Sequence, residues 1–238
     1  MGFRSMDPFL QRGGQGGPGY APHVVHYGSK RRPRITFSGT EIKHLAAALA
    51  ALTAAFFFFM SASSTFHLEN LEWPSVLLVA FVAVATGFVL HELGHKVVAQ
   101  RYGLWAEFRS SPIGLLVAVV VAWLPPHFIF AAPGAVYISG YVKEEENGKI
   151  SLIGPMINLT IALLIFPFTT TIGSSESFAG KMANAVFWVN GFLALFNLLP
   201  FGPLDGKKVW AWHKPLYLIA LFLAIGTVVW PWVGNELV

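Results

Sequence analysis

Five apolar segments of about the length of a membrane helix constrain the fold of this 238-residue chain more than any other feature. Each is near the ~20 residues that cross ~30 Å of hydrocarbon as a helix. The composition agrees, because only 12% of the residues are charged, against about 25% in a soluble domain. We therefore expect an all-α polytopic membrane protein with five to six transmembrane helices. The segments are 46–62, 75–101, 150–169, 182–199 and 214–232.

A further apolar block, IGLLVAVVVAWL (113–124), is too short to span the bilayer and is bounded by prolines on both sides. The residues after it, HFIFAAPGAVYISGYV (127–142), are rich in Val, Ile, Phe and Tyr, which is typical of strands. Irregular backbone is tolerated at membrane depth only where it is buried in protein or lines a cavity. We interpret 105–142 as a re-entrant segment with short β-strands near the active site. A sixth, short or tilted helix is the alternative.

The first 40 residues are rich in Gly, Pro and Arg and have no apolar period, so 1–40 is interpreted as a disordered tail. The remainder, 41–238, is interpreted as one membrane-embedded domain. His23 and His26 in the tail could bind a metal, but a solvated tail is the preferred interpretation. A signal peptide is the alternative for the first apolar segment, although signal peptides lack so long a tail before the apolar run.

Basic residues favour one orientation of the five helices. With KRRPR (30–34) inside, fifteen of the sixteen Lys and Arg residues fall in inside segments, and only Lys181 falls outside. This pattern predicts a multi-pass cell-membrane protein with a cytoplasmic N-terminus, in contact with a lipid bilayer and with no nucleic-acid partner. A sixth span would move Lys143 and Lys149 outside, which favours re-entry of 113–124. The chain has no cysteine, so a metal site must use His, Asp or Glu.

His91, Glu92 and His95 form an H-E-x-x-H pattern near the end of the second apolar segment. Residues i and i+4 share a helix face, so both imidazoles can bind one Zn²⁺. Glu92 lies about 100° round the helix, where it can act as general base on a water at the metal. Each ionisable group costs about 2.5–3.5 kcal/mol at the bilayer centre, and a satisfied core histidine would explain only one of the three. The helical rise from Ser75 places the site inside the bilayer, toward the cytoplasmic face. Lys96 and Arg101 would mark where the helix leaves it.

A catalytic zinc site needs a third protein ligand. The KEEENGK run (143–149) is interpreted as solvated, and Glu107 is an alternative ligand just past the second helix. Asp205, in NLLPFGPLDG (197–206), lies where the fourth predicted helix ends on the same side as the histidines. A turn residue before Gly206 is the alternative for this aspartate. The other acidic residues are expected in the tail, the outer turns or the far terminus: Asp7, Glu41, Glu69, Glu72, Glu176 and Glu236.

Three motifs in this order, HELGH (91–95), GPMIN (154–158) and NLLPFGPLDG (197–206), resemble those of the site-2 protease family of intramembrane zinc metalloproteases. The resemblance covers the core from about 75 to 210. Many members continue L-D-G-G, whereas this chain has Lys207, which changes the turn after the motif. We expect a short form without a PDZ domain and without a regulatory domain at the C-terminal end.

The resemblance implies that His91, His95 and Asp205 bind one zinc ion per chain and that Glu92 is the catalytic acid/base. It also implies that Asn158 lies near the site and binds substrate or the developing oxyanion. The residues alone indicate that Asn158 faces the protein interior, since it is polar within an apolar helix, and an interhelical hydrogen bond is the alternative role.

The predicted function is an intramembrane zinc endopeptidase that cleaves membrane proteins within or near a transmembrane helix. Such a helix must unwind locally, and the segment 127–142 could hold the extended chain by edge pairing, which proline at Val136 or Ile138 should disturb. A membrane protein that binds or transports metal without hydrolysis is the second hypothesis, and Glu92 distinguishes the two. A CAAX-type membrane protease with a glutamate as third ligand is the third, and metal analysis of Asp205→Ala would distinguish it.

Overall fold

The computed structural model describes residues 35–63, 66, 68–131, 133–171 and 177–234, which are mainly helical. The helices are α1 (Gly39–Ala62), α2 (Trp73–Val84), α3 (Leu90–Arg101), α4 (Pro112–Trp123), α5 (Glu144–Thr171), α6 (Phe178–Asn197), α7 (Asp205–Trp212) and α8 (Lys214–Gly234). The strands are β1 (Trp105–Ser110) and β2 (Gly134–Ser139). The predicted tail lies outside the described residues as far as residue 34, and His23 and His26 lie there too.

The first helix begins at Gly39, earlier than the predicted residue 46. Ser38 caps it, since the Ser38 hydroxyl accepts a hydrogen bond from the backbone N–H of Glu41 at 3.1 Å. The polar residues before position 46 were expected to lie outside the helix. Glu41 is instead completely buried, because a lysine of α3 neutralises it inside the protein.

The second predicted helix is one continuous element over Trp73–Arg101, with a π-helical segment (Ala85–Val89) between α2 and α3. At its start the hydroxyl of Thr86 donates to the carbonyl oxygen of Val82 at 2.8 Å. Helix α6 packs closely against this segment, so that a Cβ atom added to Gly87 would lie 2.7 Å from Cδ1 of Leu193. The π segment ends at Val89, two positions before His91, and such segments are often found at functional sites.

The segment between the two strands leaves a small sheet and returns to it. Strand β1 pairs antiparallel with β2, with Trp105 opposite Ser139 and Ser110 opposite Gly134. Helix α4 starts right after Ser110, where the hydroxyl of Ser111 caps it. Both ends of the segment 111–133 therefore lie at the same sheet. Its depth in a membrane stays a prediction.

Three of the described helices are long and apolar enough to cross a membrane: Gly39–Ala62, Trp73–Arg101 and Glu144–Thr169. Two shorter apolar helices are Pro112–Trp123 and Lys214–Trp230. The expected total of five to six spanning helices stays a prediction. The third predicted helix begins six residues early and includes most of the KEEENGK run, in which Glu145 and Lys149 pair across one helical turn.

Helix α5 packs against α3, α6 and α7, so it contacts every helix that carries a predicted metal ligand. The apolar core lies mainly between α1, α2 and α6, with Phe56, Val84 and Val189 among its fully buried side chains. The short helix α7 was not predicted, since its eight residues lie between the predicted helices 182–199 and 214–232 and were assigned to neither. Its presence is what places Asp205 at the beginning of a helix.

Candidate active site

His91 and His95 lie on one face of α3, and their Nε2 atoms point toward Asp205. The Oδ2 atom of Asp205 is 3.4 Å from Nε2 of His91 and 3.0 Å from Nε2 of His95. All three residues are buried, and their candidate ligand atoms lie within 4.8 Å of one another. The structure therefore brings together a group of three side chains that can bind a metal ion.

The far nitrogens of both imidazoles are engaged by helix α5. Nδ1 of His95 donates a hydrogen bond to the backbone carbonyl oxygen of Ile150 at 2.6 Å. A proton on Nδ1 leaves Nε2 free to bind a metal, and such partners fix the orientation of a ligand histidine. The carbonyl of Ile150 carries no sequence signal, since any residue supplies one, and this contact was not predicted.

Asn158 is completely buried, and its side-chain amide lies 3.2 Å from Nδ1 of His91. When Nδ1 of His91 carries its proton, it donates to Oδ1 of Asn158, which leaves Nε2 free for a metal ion. In the opposite orientation of the amide, the nitrogen donates to the carbonyl oxygens of Gly87 at 3.2 Å and Gly154 at 3.1 Å and to Nδ1 of His91 at 3.2 Å. Asn158 therefore connects α5 to the π segment and to a predicted metal ligand. It is not among the described residues that line the cavity beside the histidines, and its contact with a substrate stays a prediction.

Gly154 provides the space in which a metal ion would lie. A Cβ atom on Gly154 would be 2.4 Å from Nε2 of His95 and 2.6 Å from Nε2 of His91. A zinc ion lies ~2.0–2.1 Å from its imidazole nitrogens, so a side chain at this position would compete with it for the same volume. Two imidazoles, one carboxylate and this free space fit a zinc ion with one open coordination position.

Burial raises the pKa of Asp205, but the nearby imidazoles of His95 and His91 outweigh it and hold the pKa well below its ordinary value. The carboxylate is therefore ionised at neutral pH, as a metal ligand must be. Its second oxygen, Oδ1, lies 3.5 Å from the ammonium group of Lys208. Lys208 was not singled out in the sequence, although its spacing of three from Asp205 on a helix makes the contact expected.

A cavity of about 90 Å³ adjoins the three residues, and Glu92 lines it together with Lys208. Strand β2 forms one wall through Gly134, Ala135, Val136 and Ile138. The volume is small compared with typical ligand pockets of about 300–1,000 Å³. The cavity therefore has room for water and a small part of a peptide beside the histidines.

Glu107, the alternative third ligand, lies on β1 and pairs with Arg109 at 2.5 Å. Glu107 does not belong to the group formed by the histidines and Asp205. Within the described part of the chain, that is the one group of three or more His, Asp or Glu residues close enough together to hold a metal ion. The side chain of Lys96 is buried against Glu41 rather than exposed, and its position relative to the membrane boundary stays a prediction.

Comparison with known proteins gives sequence relatives, while no family model and no solved structure matches. MJ0611 of Methanocaldococcus jannaschii, named as a zinc metalloprotease, is 40% identical over 154 residues, which are 63% of this chain and 78% of that protein. Zinc metalloprotease MJ0392 of the same organism is 23% identical, over 59% of this chain and 34% of its own length. Rip2 of Mycolicibacterium smegmatis, also named as a zinc metalloprotease, is 27% identical over 58% of each chain.

The chain thus spans most of MJ0611 but about a third of MJ0392 and somewhat over half of Rip2. The names of these relatives agree with the three motifs and with a site that fits zinc. By its motifs and by its similarity to MJ0611, the chain belongs to the site-2 protease family of zinc metalloproteases.

Proposed function

We propose that this protein is an intramembrane zinc endopeptidase that hydrolyses peptide bonds within or near transmembrane segments of membrane proteins. The observation that carries the proposal is the convergence of His91, His95 and Asp205 beside a cavity that Glu92 lines. The histidines belong to a helix long and apolar enough to cross a membrane. We further propose a multi-pass protein of the cell membrane, with a cytoplasmic N-terminus and the site toward the cytoplasmic side.

In this proposal His91, His95 and Asp205 hold the metal. When bound, Zn²⁺ supplies a Lewis acid that brings the pKa of a coordinated water to about 7. Glu92 accepts a proton from the attacking water and then donates it to the amine that leaves. The side chain of Asn158 orients His91 and the carbonyl oxygen of Ile150 orients His95, each through Nδ1 of the imidazole. The ammonium group of Lys208 contacts Oδ1 of Asp205.

The substrate would have to present an extended backbone, and the pairing of the sheet supports a proposal for its position. Side chains of other elements satisfy the outer edge of β1: the N–H of Phe108 donates to Oε1 of Glu41 at 3.1 Å, and that of Ser110 to Nδ1 of His44 at 3.1 Å. In an antiparallel pair, the backbone N–H and C=O groups of two directly opposite residues either bond to each other or both point away from the partner strand. Since the backbone N–H of Phe108 points away from β2, the backbone N–H and C=O groups of its partner Val136 point away from β1.

The same alternation applies to Ile138, which lies opposite Ala106, a residue whose carbonyl oxygen accepts from Lys96. Val136 and Ile138 therefore present backbone N–H and C=O groups along the edge of β2 away from β1, where no further strand pairs within the described part of the chain; this is called the free edge of β2. Both residues line the cavity. We propose that an unwound substrate segment adds to this edge as a further strand, with its scissile bond next to the histidines.

Glu92→Gln tests the proposed activity. The purified variant in lipid vesicles should bind one zinc per chain and should not cleave a single-span substrate protein that the wild type cleaves. A metal transporter has no need of a base beside the ligands, so it would keep its metal-dependent activity in the variant. Cleavage that survives in Glu92→Gln would sink the protease assignment.

Val136→Pro tests the proposed substrate strand. Proline removes one N–H group from the free edge of β2 and leaves the pairing with β1 intact, so folding and zinc content should be retained while cleavage falls. Val136→Ala, which keeps the N–H, is the matched control and should cleave substantially better. Equal cleavage by the proline variant and the wild type would eliminate edge pairing at this position.

A further inference from the structure

Glu41 and Lys96 form an ion pair inside the protein. The ammonium group of Lys96 lies 2.6 Å from Oε2 of Glu41, and the two side chains are 1% and 0% exposed. A buried ion pair seldom stabilises a protein more than apolar residues of the same volume would. The pair therefore calls for an explanation other than stability, and its further contacts provide one.

Each member of the pair also binds the backbone of β1. The ammonium group of Lys96 donates to the carbonyl oxygen of Ala106 at 3.1 Å, and Oε1 of Glu41 accepts from the N–H of Phe108 at 3.1 Å. Gln100 donates to the same carbonyl of Ala106 at 3.2 Å. The ion pair thus joins α1, α3 and β1 at one point, and it occupies the hydrogen-bonding groups that a third strand would otherwise use.

This junction lies between the metal-binding helix and the strand proposed to hold the substrate. Lys96 directly follows His95 on α3 and donates to the carbonyl oxygen of Ala106, while its partner Glu41 accepts from the N–H of Phe108. Phe108 pairs with Val136, which lines the cavity. A short series of hydrogen bonds and strand pairing therefore connects His95 to the free edge of β2.

We infer that the Glu41–Lys96 pair is a positioning device that sets the distance between the metal ligands on α3 and the substrate strand β2. The inference rests on the proposed function, since it gives β2 the role of holding the substrate. Apolar side chains could fill the same volume, but they could not bind the carbonyl of Ala106 or the N–H of Phe108.

The double variant Glu41→Leu with Lys96→Met tests this role. Removing both charges together leaves no unpaired ion in the interior, so the protein should fold and bind one zinc per chain. Because a displacement of about 1 Å can cost on the order of 10²-fold in rate, kcat should fall at least about tenfold. KM should change by less than about threefold, because the free edge of β2 is retained.

A second double variant, Glu41→Gln with Lys96→Met, keeps an acceptor for the N–H of Phe108. It should therefore recover part of the lost kcat, and it provides a further test should the leucine variant not fold. The control is Glu107→Gln with Arg109→Met, which removes an ion pair within β1 and leaves Glu41 and Lys96 in place. This control should cleave like the wild type.

A distance measurement tests the positioning without reference to activity. The chain has no cysteine, so Tyr137→Cys, at an exposed position of β2, can carry the single nitroxide label. With Cu²⁺ at the histidines, dipolar broadening of the nitroxide signal reports the separation of β2 from the metal. We expect a single narrow distance distribution in the otherwise unchanged protein and a wider or shifted one in the Glu41→Leu, Lys96→Met variant.

An unchanged distance distribution in that variant would overturn the inference, as would a changed distribution with wild-type kcat. Failure of the proposed function is separate from these outcomes. If Val136→Pro cleaves like the wild type, β2 does not hold the substrate, while the nitroxide still reports whether the ion pair positions the strand. A changed distance together with a reduced kcat and an active Glu107→Gln, Arg109→Met control supports the inference.

Discussion

Gly206 packs so closely on Leu198 that a Cβ atom added to Gly206 would lie 2.1 Å from the carbonyl oxygen of Leu198. The carbonyl oxygen of Leu199 would be 2.7 Å away. Helix α7 can therefore begin against the end of α6 only with a glycine at its second position. This contact sets where Asp205 lies, and it gives the Asp-Gly pair a reason other than a turn.

Gly206→Ala should displace Asp205 from the histidines. Because the new methyl group meets backbone atoms, α7 must shift, and we expect zinc affinity to fall on the order of 10–100-fold, as when other supports of a metal ligand are lost. Zinc titration of the purified protein measures this. Gly226→Ala on α8 is the matched control, since nothing lies within 4 Å of its Cβ, and it should bind zinc normally. Normal zinc binding by Gly206→Ala would contradict the explanation.

Gly154→Ala should abolish zinc binding while the helices stay folded. The added methyl group would occupy the space beside both Nε2 atoms, and alanine is otherwise the better helix former by about 1 kcal/mol. Metal analysis should give close to zero zinc per chain, and circular dichroism should give an unchanged helix content. A full complement of zinc in this variant would mean that the ion lies elsewhere.

Asn158→Ala distinguishes two roles for the buried amide. If Asn158 orients His91, the variant should lose on the order of 10–100-fold in zinc affinity. If it binds only the substrate or the oxyanion, zinc affinity should be retained and only the cleavage kinetics should change. The contact of 3.2 Å with Nδ1 of His91 leads us to expect the first outcome. Zinc titration and cleavage rates on the same preparation decide between them.

Zinc should stabilise the wild type through Asp205. A ligand at one hundred times its Kd adds about 2.7 kcal/mol to the free energy of unfolding, so removing zinc with a chelator should lower Tm and restoring it should raise Tm again. Asp205→Ala should respond much less at the same zinc concentration. An equal shift in the variant would indicate a different third ligand, such as the glutamate of the CAAX-type arrangement.

Part of the site could be predicted because its geometry is local. His91 and His95 share a helix face as a consequence of their spacing, and an apolar segment of sufficient length makes that helix. The strand-forming residues of 127–142 predicted β2, although β1 and the pairing of the two were not assigned. The start of α1 was placed too late, because the polar residues before 46 have partners in the sheet that the local sequence does not contain.

The sequence by itself determined the apolar segments, the histidine pair and the motifs that identify the family, since each depends on residues close together in the chain. Only the tertiary structure decided that the carboxylate of Asp205 meets the imidazoles, that Gly154 leaves room between them, and that Glu41 neutralises Lys96. These contacts join residues tens of positions or more apart. Their formation depends on how α5 packs on α3 and α7, and on the register of β1 with β2, which no local pattern encodes.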